Sequence, residues 1–361
     1  MKKYISMIMA AITMVGLFSA CSNASNVSAK MGNSAVNSET VGDAGKIQIV
    51  TTIFPEYDWV MNIVGDNNAN VEVTMLLDNG VDLHSFQPTA DDILKISTCD
   101  LFVYVGGESD EWVEDALLEA TNKDMVVINL LDELGGSVKE EEVVEGMQED
   151  DDHDHEHETE EDADDHDHEG VEDTDDHEDG EIEYDEHVWL SLRNAEVLVQ
   201  SISDSIQSID PDNKEIYISN TSAYISELSL LDEKYSETVK NSSYDTLLFG
   251  DRFPFRYLVD DYDLNYYAAF VGCSAETEAS FETIAFLSQK IDELSLPAVM
   301  TIEGTDQRIA ETVVSSTRDK DQQILTMDSM QAITSSDIQS GVTYLSIMEK
   351  NLEVLTKALN D

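Results

Sequence analysis

An alternation of strand and helix signals, which occurs twice along the chain, constrains the fold more than any other feature. In the first run, short β-branched and apolar segments predict buried strands at 47–53, 71–77, 101–105 and 125–130. Helix signals lie between them, including a helix opened by Pro55 and closed by Gly65, and a capping box at Thr89 and Asp92. Because strands that alternate with helices join as parallel neighbours, this order predicts a mainly parallel sheet covered by helices.

The second run repeats this order after one long helix. Strands are predicted at 246–250, 266–270, 298–303 and 322–328, and helices at 253–259, 279–294, 307–316 and 344–359. Asp210-Pro211 resembles an N-cap followed by a first-turn proline. The helix that follows would be about 45 Å long, which suits a connector. We therefore predict an α/β protein with two lobes, each with a mainly parallel sheet flanked by helices, joined by one long connecting helix.

These signals divide the ordered chain into an N-terminal α/β lobe at 46–209, a linker helix at 210–240 and a C-terminal α/β lobe at 241–361. An acidic, histidine-rich insert at 136–183 interrupts the first lobe. Residues 140–186 hold 28 of the 77 acidic residues and no Lys or Arg. With few large apolar side chains, the insert is predicted to be disordered.

The six histidines of the insert alternate with carboxylates, and this pattern has two interpretations. The first is a solvated, self-repelling linker. The second, which we favour, is a weak metal-collecting antenna, because negative charge concentrates cations and neutral imidazoles bind zinc. The formal net charge of −58 argues against a nucleic acid as partner.

The first residues have the features of an export signal. Two lysines precede an apolar run at 5–18, which is followed by small residues and Cys21. We predict a lipoprotein signal peptide at 1–20, a lipid on Cys21 and a Ser- and Asn-rich tether at 21–45. Phe18 stands where such signals usually have Leu, and an ordinary cleaved signal is the alternative. The predicted location is outside the cytoplasm, anchored to the cell membrane.

Two cysteines follow Cys21, and they lie in different predicted lobes. We expect Cys99 and Cys273 to be unlinked and buried. No CxxC pair is present, so the sequence does not support a zinc site built from thiolates.

Two histidines lie in segments whose sequence predicts ordered structure, and they are the candidate metal ligands. His84 follows the predicted strand at 71–77, and His187 lies where the insert rejoins the fold. Asp328 and Glu303 lie at strand ends of the second lobe. Since ligands of open α/β sheets bind beyond the carboxyl ends of strands, all four side chains could face a cleft between the lobes. Imidazole with carboxylate suits zinc or manganese, and two imidazoles favour zinc.

The same segments resemble the metal-specific solute-binding proteins of ABC importers, the zinc and manganese group, over nearly all of residues 46–361. The similar segments are 51–55, 80–92, 106–112, 185–190, 273–280 and 325–328. The resemblance implies two α/β lobes joined by one long helix, with the metal between them. It gives ligand roles to His84, His187 and Asp328.

The sequence departs from the family at one ligand position. Where the family usually has a third His, sometimes a Glu, this chain has Gly250. We expect Asp251 or Glu303 to substitute for it, or a water to complete the coordination sphere. Arg252 would repel a divalent cation unless a carboxylate, such as Glu303, pairs with it.

These observations predict extracytoplasmic capture of a divalent transition metal and its delivery to a membrane ABC permease. The transported ligand is expected to be Zn²⁺, with Mn²⁺ as the alternative. The resemblance implies a monomer. The protein is not expected to be an enzyme, because the HExxH motif, the nucleophile elbow and the phosphate loop are all missing from the sequence. A metallohydrolase with water at the third ligand position and a surface adhesin remain the alternatives.

Overall fold

Two four-stranded parallel sheets, one in each lobe, carry the described part of the molecule. The computed structural model describes residues 45–65, 70–148, 183–274 and 278–360. The first sheet has the order β2-β1-β3-β4 and the second the order β6-β5-β7-β8, with all pairings parallel. The strands are β1 (Ile47–Thr51), β2 (Val71–Met75), β3 (Leu101–Tyr104), β4 (Val126–Asn129), β5 (Thr246–Phe253), β6 (Asn265–Val271), β7 (Ala298–Ile302) and β8 (Gln323–Met327). The predicted fold class is confirmed.

Helices flank both sheets. They are α1 (Phe54–Val64), α2 (Ala90–Thr98), α3 (Trp112–Leu118), α4 (Leu130–Leu134), α5 (Leu192–Ile209), α6 (Lys214–Lys240), α7 (Arg256–Asp261), α8 (Phe281–Leu294), α9 (Arg308–Ser316), α10 (Ser335–Gln339) and α11 (Tyr344–Ala358). Among the described residues, none of these helices combines the length and the apolar character needed to cross a membrane.

Local signals explain where several helices begin and end. Pro55 stands in the first turn of α1, and Gly65 ends the helix with a φ of 72°. The predicted capping box is present, since the Thr89 hydroxyl accepts a hydrogen bond from the Asp92 N–H while the Asp92 carboxylate accepts one from the Thr89 N–H. The linker helix α6 is 27 residues long and begins after a short 3₁₀ turn at Pro211–Asn213.

The main hydrophobic core extends through both lobes. It joins Ile49 and Trp59 of the first lobe to Phe249 and Tyr344 of the second, and the stripe around Leu228 of α6 packs against it. A smaller hydrophobic cluster lies between the second sheet and the helices α8 and α9. Because buried side chains pack as densely as a molecular crystal, this shared core resists large movements of one lobe against the other.

The first part of the predicted disordered insert is ordered, which corrects that prediction. Residues 138–148, here called the strap, pack against the second lobe. The Gln148 N–H donates to the Ala269 carbonyl, Met147 is buried, and Glu142 pairs with Arg256 at 3.0 Å. The histidine-rich residues 149–182, the predicted signal peptide and residues 21–44 of the predicted tether lie outside the described residues.

Residues 139–141 of the strap are paired with residues 183–185, which lead into His187. The Glu141 N–H donates to the Glu183 carbonyl, and the Asp185 N–H donates to the Lys139 carbonyl, each at 2.9 Å. This short ladder joins the strap to the segment that carries Asp185 and His187.

Candidate metal centre

His84 lies on the short 3₁₀ turn Leu83–Ser85, beyond the carboxyl end of β2. Asp82 caps this turn by accepting a hydrogen bond from the His84 N–H at 3.1 Å. The His84 Nδ1 is 2.7 Å from the Ser109 hydroxyl and 3.5 Å from the Glu186 Oε2. Ser109 is itself held, since its N–H donates to the Glu186 Oε1 at 2.8 Å. These contacts orient the ring with its Nε2 directed away from the loop at 106–112.

His187 is fully buried directly before the 3₁₀ turn Val188–Leu190. The Asp185 Oδ1 accepts a hydrogen bond from the His187 N–H at 2.9 Å and lies 3.0 Å from the His187 Nδ1. The Asp185 carbonyl accepts a hydrogen bond from the Tyr257 hydroxyl, which ties this loop to the second lobe. A carboxylate on Nδ1 selects the tautomer whose Nε2 lone pair is available to a metal.

The two imidazoles meet through these available nitrogens. The His84 Nε2 and the His187 Nε2 are 3.2 Å apart. Two nitrogens bound to one tetrahedral zinc at about 2.0–2.1 Å lie about 3.3–3.4 Å apart. The spacing therefore suits a single shared cation.

An unpartnered carboxyl oxygen beside the pair also favours a cation. The Glu186 Oε2 is buried and has no hydrogen-bond partner within the described part of the chain.

The surroundings shift the pKa values of the two histidines in opposite directions. Burial, and then the proximity of His187, lower the pKa of His84 to about 3, although Asp82 opposes this shift. At His187, burial lowers the pKa, but the charge and hydrogen bond of Asp185 outweigh it and raise the pKa above its ordinary value.

Cys273 joins the two histidines, a position that the sequence prediction missed. It follows the carboxyl end of β6, and its Sγ and one ring nitrogen from each of His84 and His187 all lie within 4.8 Å of one another. Both Cys99 and Cys273 are free thiols, as expected, but Cys273 is only partly buried. Burial, followed by the charges of Glu141 and Asp185, raises the pKa of its thiol well above the ordinary value. Its position after a strand end, within the family-like segment 273–280, was the signal available in the sequence.

The structure holds Asp251 in other contacts. Its Oδ2 accepts hydrogen bonds from the Ile302 N–H at 3.2 Å and the Thr305 hydroxyl at 2.8 Å, and its Oδ1 accepts one from the Arg252 N–H. Arg252 does pair with a carboxylate, but the partner is Asp82 of the first lobe at 2.8 Å, which corrects the expected pairing with Glu303.

Asp328 and Glu303 belong to a separate acidic pair at the ends of β8 and β7. Glu303 accepts hydrogen bonds from the Ser329 N–H and hydroxyl, each at 2.7 Å, and the Asp328 Oδ1 accepts one from the Met330 N–H at 2.8 Å. Asp328 is not part of the His84, His187 and Cys273 group. Its ligand role, like that of Asp251, stays a prediction.

The loop after β8 reaches the histidines through Gln331. The Gln331 side-chain oxygen and nitrogen both have partners in one orientation of the amide. In this orientation the oxygen lies 3.1 Å from the His187 Nε2 and the nitrogen lies 2.9 Å from the Asp82 Oδ1. Gln331 therefore accepts a hydrogen bond from the nitrogen that a metal would use, and metal binding at His187 requires this nitrogen to lose its proton and this side chain to move.

Comparison with known proteins identifies the family of this chain. Residues 49–358 match the family ZnuA, described as zinc-uptake complex component A, periplasmic. The chain is 30% identical over 314 residues to the zinc-binding lipoprotein AdcA of Streptococcus pneumoniae serotype 4, covering 86% of this chain and 55% of AdcA. It thus spans about half the length of the AdcA relatives that it matches. Over 331 residues it is 29% identical to the high-affinity zinc uptake system protein ZnuA of Bacillus subtilis, covering 92% and 93% of the two chains.

Solved structures share the architecture. The Zn(II)-bound ZnuA-like domain of Streptococcus pneumoniae AdcA is 26% identical with a TM-score of 0.64, covering 88% of this chain and 100% of that domain. The metal-dependent lipoprotein YcdH of Bacillus subtilis is 25% identical with a TM-score of 0.65, covering 87% and 99%. Since the family match includes both lobes and both histidines of the centre, this chain belongs to the ZnuA family of zinc-uptake components.

Proposed function

We propose that the protein captures one zinc ion at His84 and His187, between its two lobes, and delivers it to a membrane ABC permease. The observation that carries the proposal is the 3.2 Å separation of the two Nε2 atoms, with an oxygen beside each Nδ1. Two imidazoles in this arrangement form half of a tetrahedral zinc site.

The chemistry of the donors supports zinc over manganese. Imidazole binds zinc well, whereas manganese prefers carboxylate and water oxygens. The relatives AdcA and ZnuA carry zinc in their names, which agrees with this preference. Asp328 is proposed as a further ligand that approaches when the loop carrying Gln331 moves aside.

The proposed setting is the outer surface of the cell membrane. The AdcA relative is described as a lipoprotein, and Cys21 of this chain follows a signal-like segment. A lipid on Cys21 would anchor a monomer near the permease, outside the cytoplasm.

The histidine-rich stretch 149–182 is proposed to collect zinc for the cleft. The chain on either side of it, at 139–141 and 183–185, is paired beside Asp185, which contacts His187. Weakly bound zinc would thus be concentrated near the tight site and would raise the loading rate, without changing the final affinity.

The proposal gives the metal no catalytic role, and the adhesin alternative rests on no observation in this structure. Catalysis would require metal-dependent turnover that is lost in His84→Ala, and adhesion would require matrix binding that is indifferent to metal and to this substitution.

The proposal is tested by titrating zinc and manganese, in competition with a chelator, into residues 45–361 without 149–182. We expect one zinc per chain, bound much more tightly than manganese. His84→Ala and His187→Ala should each lower the zinc affinity by orders of magnitude. Asp328→Asn and Asp251→Asn test the two remaining candidate carboxylate ligands.

Absence of a one-to-one zinc site, or affinity that is unchanged in both histidine variants, would overturn the proposal. If zinc bound only when 149–182 is present, capture would have to be assigned to that stretch. The collecting role is tested separately by stopped flow. This measurement compares the zinc loading rate of residues 45–361 with that of the form without 149–182, at equal zinc concentration.

A further inference from the structure

The third ligand position of the family is closed in this chain. Gly250 lies in β5, and a Cβ built on it would be only 2.7 Å from the Ala310 Cα and 2.9 Å from the Ala310 nitrogen of α9. The space beside Gly250 is therefore filled by helix backbone, and no larger side chain fits there. A third protein ligand must come from another element.

The end of β6 lies directly against His187. A Cβ on Gly272 would be 2.9 Å from the His187 Cε1 and 3.0 Å from the Phe253 carbonyl oxygen. Gly272 does not have a positive φ, so its backbone conformation does not require glycine. The requirement comes from the close approach of this strand end to His187, and this approach brings the next residue, Cys273, to the imidazole pair.

We infer that the thiolate of Cys273 is the third protein ligand of the zinc, beside His84 and His187. The inference rests on the proposed function, since it concerns the ligands of the same site. On binding, the thiol proton leaves to solvent as the bond between Sγ and zinc forms.

The distances fit this assignment. With zinc bonds of about 2.3 Å to sulfur and 2.0–2.1 Å to nitrogen, tetrahedral geometry places the sulfur about 3.5–3.6 Å from each nitrogen. The three candidate atoms lie within 4.8 Å of one another, so an adjustment of about 1 Å is enough to close the site. The Cys273 N–H donates to the Glu141 Oε1 of the strap at 3.3 Å, which helps to hold the loop in place.

A thiolate changes the selectivity expected of the site. Sulfur is a soft donor that favours zinc and disfavours manganese, so a site with two imidazoles and one thiolate discriminates more strongly than an all-imidazole site. The loss of the histidine at Gly250 then strengthens the preference for zinc.

The chain supplies a matched control in Cys99. This cysteine is also free, is fully buried in the first lobe, and its Sγ donates a hydrogen bond to the Ile96 carbonyl at 3.2 Å. It belongs to no group of candidate ligands within the described ranges. The described residues from 45 onward form one compact unit, and the sequence 45–361 contains these two cysteines alone.

The test loads residues 45–361 with one equivalent of Co²⁺ as a spectroscopic substitute for zinc. We expect a near-ultraviolet thiolate-to-cobalt charge-transfer band in the wild type and in Cys99→Ser, and no such band in Cys273→Ser. Histidines of 149–182 cannot produce this band because they carry no sulfur. Zinc affinity should fall on the order of 100-fold in Cys273→Ser and stay unchanged in Cys99→Ser.

The outcomes separate this inference from the proposed function. Tight one-to-one zinc binding that depends on both histidines, without a charge-transfer band and with Cys273→Ser unchanged, overturns the thiolate ligand and leaves the function standing. Absence of the zinc site overturns both. Protection of Cys273 from alkylation by one equivalent of zinc is the second supporting readout, and it does not depend on the stability of any variant.

Discussion

Gly272→Ala tests whether the close approach of β6 to His187 shapes the proposed metal centre. The new Cβ would be 2.9 Å from the His187 Cε1, whereas carbon atoms in contact prefer about 3.5–4.0 Å. Something must therefore move by about 0.6–1 Å. His187 has little freedom, because it is fully buried and Asp185 holds both its N–H and its Nδ1. The other near atom, the Phe253 carbonyl oxygen, belongs to the backbone of β5.

The displacement is large for a metal site, where ligands must stay within about 0.5 Å of the productive geometry. We expect zinc affinity to fall on the order of 10–100-fold, as when a metal ligand loses its orientation. Overpacking should also lower the free energy of unfolding by about 1–3 kcal/mol. Chelator competition measures the first effect and chemical denaturation the second.

Gly136→Ala is the matched control. This glycine has an ordinary φ, and a Cβ on it meets no atom within 4 Å, so neither zinc affinity nor stability should change. If Gly272→Ala folds and binds zinc as tightly as the wild type, the close approach plays no part in building the centre. Loss of affinity in both variants would point to a cause other than the contact with His187.

Three further predictions concern stability and charge. Burial raises the pKa of Asp58 to about 6, so its contribution to stability is present below the unfolded pKa of 3.8 and is lost as pH rises through about 6. Asp58→Asn should remove about 2–3 kcal/mol of this pH dependence in denaturation curves recorded from pH 4 to 7, and an unchanged slope would contradict it. Glu56→Ala leaves the buried N–H groups of Thr52 and Ile53 without their side-chain acceptor and should lower the free energy of unfolding by about 2–4 kcal/mol in chemical denaturation. Glu56→Gln, which keeps an acceptor oxygen, should lower it less, and equal losses in the two variants would contradict the role of the acceptor. Arg252→Met removes the positive charge paired with Asp82, whose Oδ1 is 4.0 Å from the His84 Nε2. Because the Asp82 carboxylate is then free to attract a cation, zinc affinity should rise several-fold in chelator competition. A lower affinity would show that the ion pair supports the site.

The order of strands and helices was readable from the sequence because it depends on local periodicity. Helix α6 shows this well, since Tyr217, Tyr224 and Tyr235 recur at helical spacing and all three are buried. The prediction that disorder begins at residue 136 was wrong. The strap lacks a periodic pattern, yet Met147 is buried and the backbone hydrogen bond from Gln148 to Ala269 holds the segment against the second lobe. Such contacts depend on residues far along the chain, which a local pattern does not contain.

The candidate site divides in the same way. His84 and His187 were identifiable because they are the two histidines outside the acidic stretch and lie in family-like segments. The association of Cys273 with them was not, since 86 residues separate it from His187 and no motif links the two. The sequence by itself determined two parallel α/β lobes, a long linker helix and a histidine pair. The tertiary structure alone decided that α9 fills the space beside Gly250 and that Gly272 lets Cys273 approach, because both depend on how closely separate elements pack.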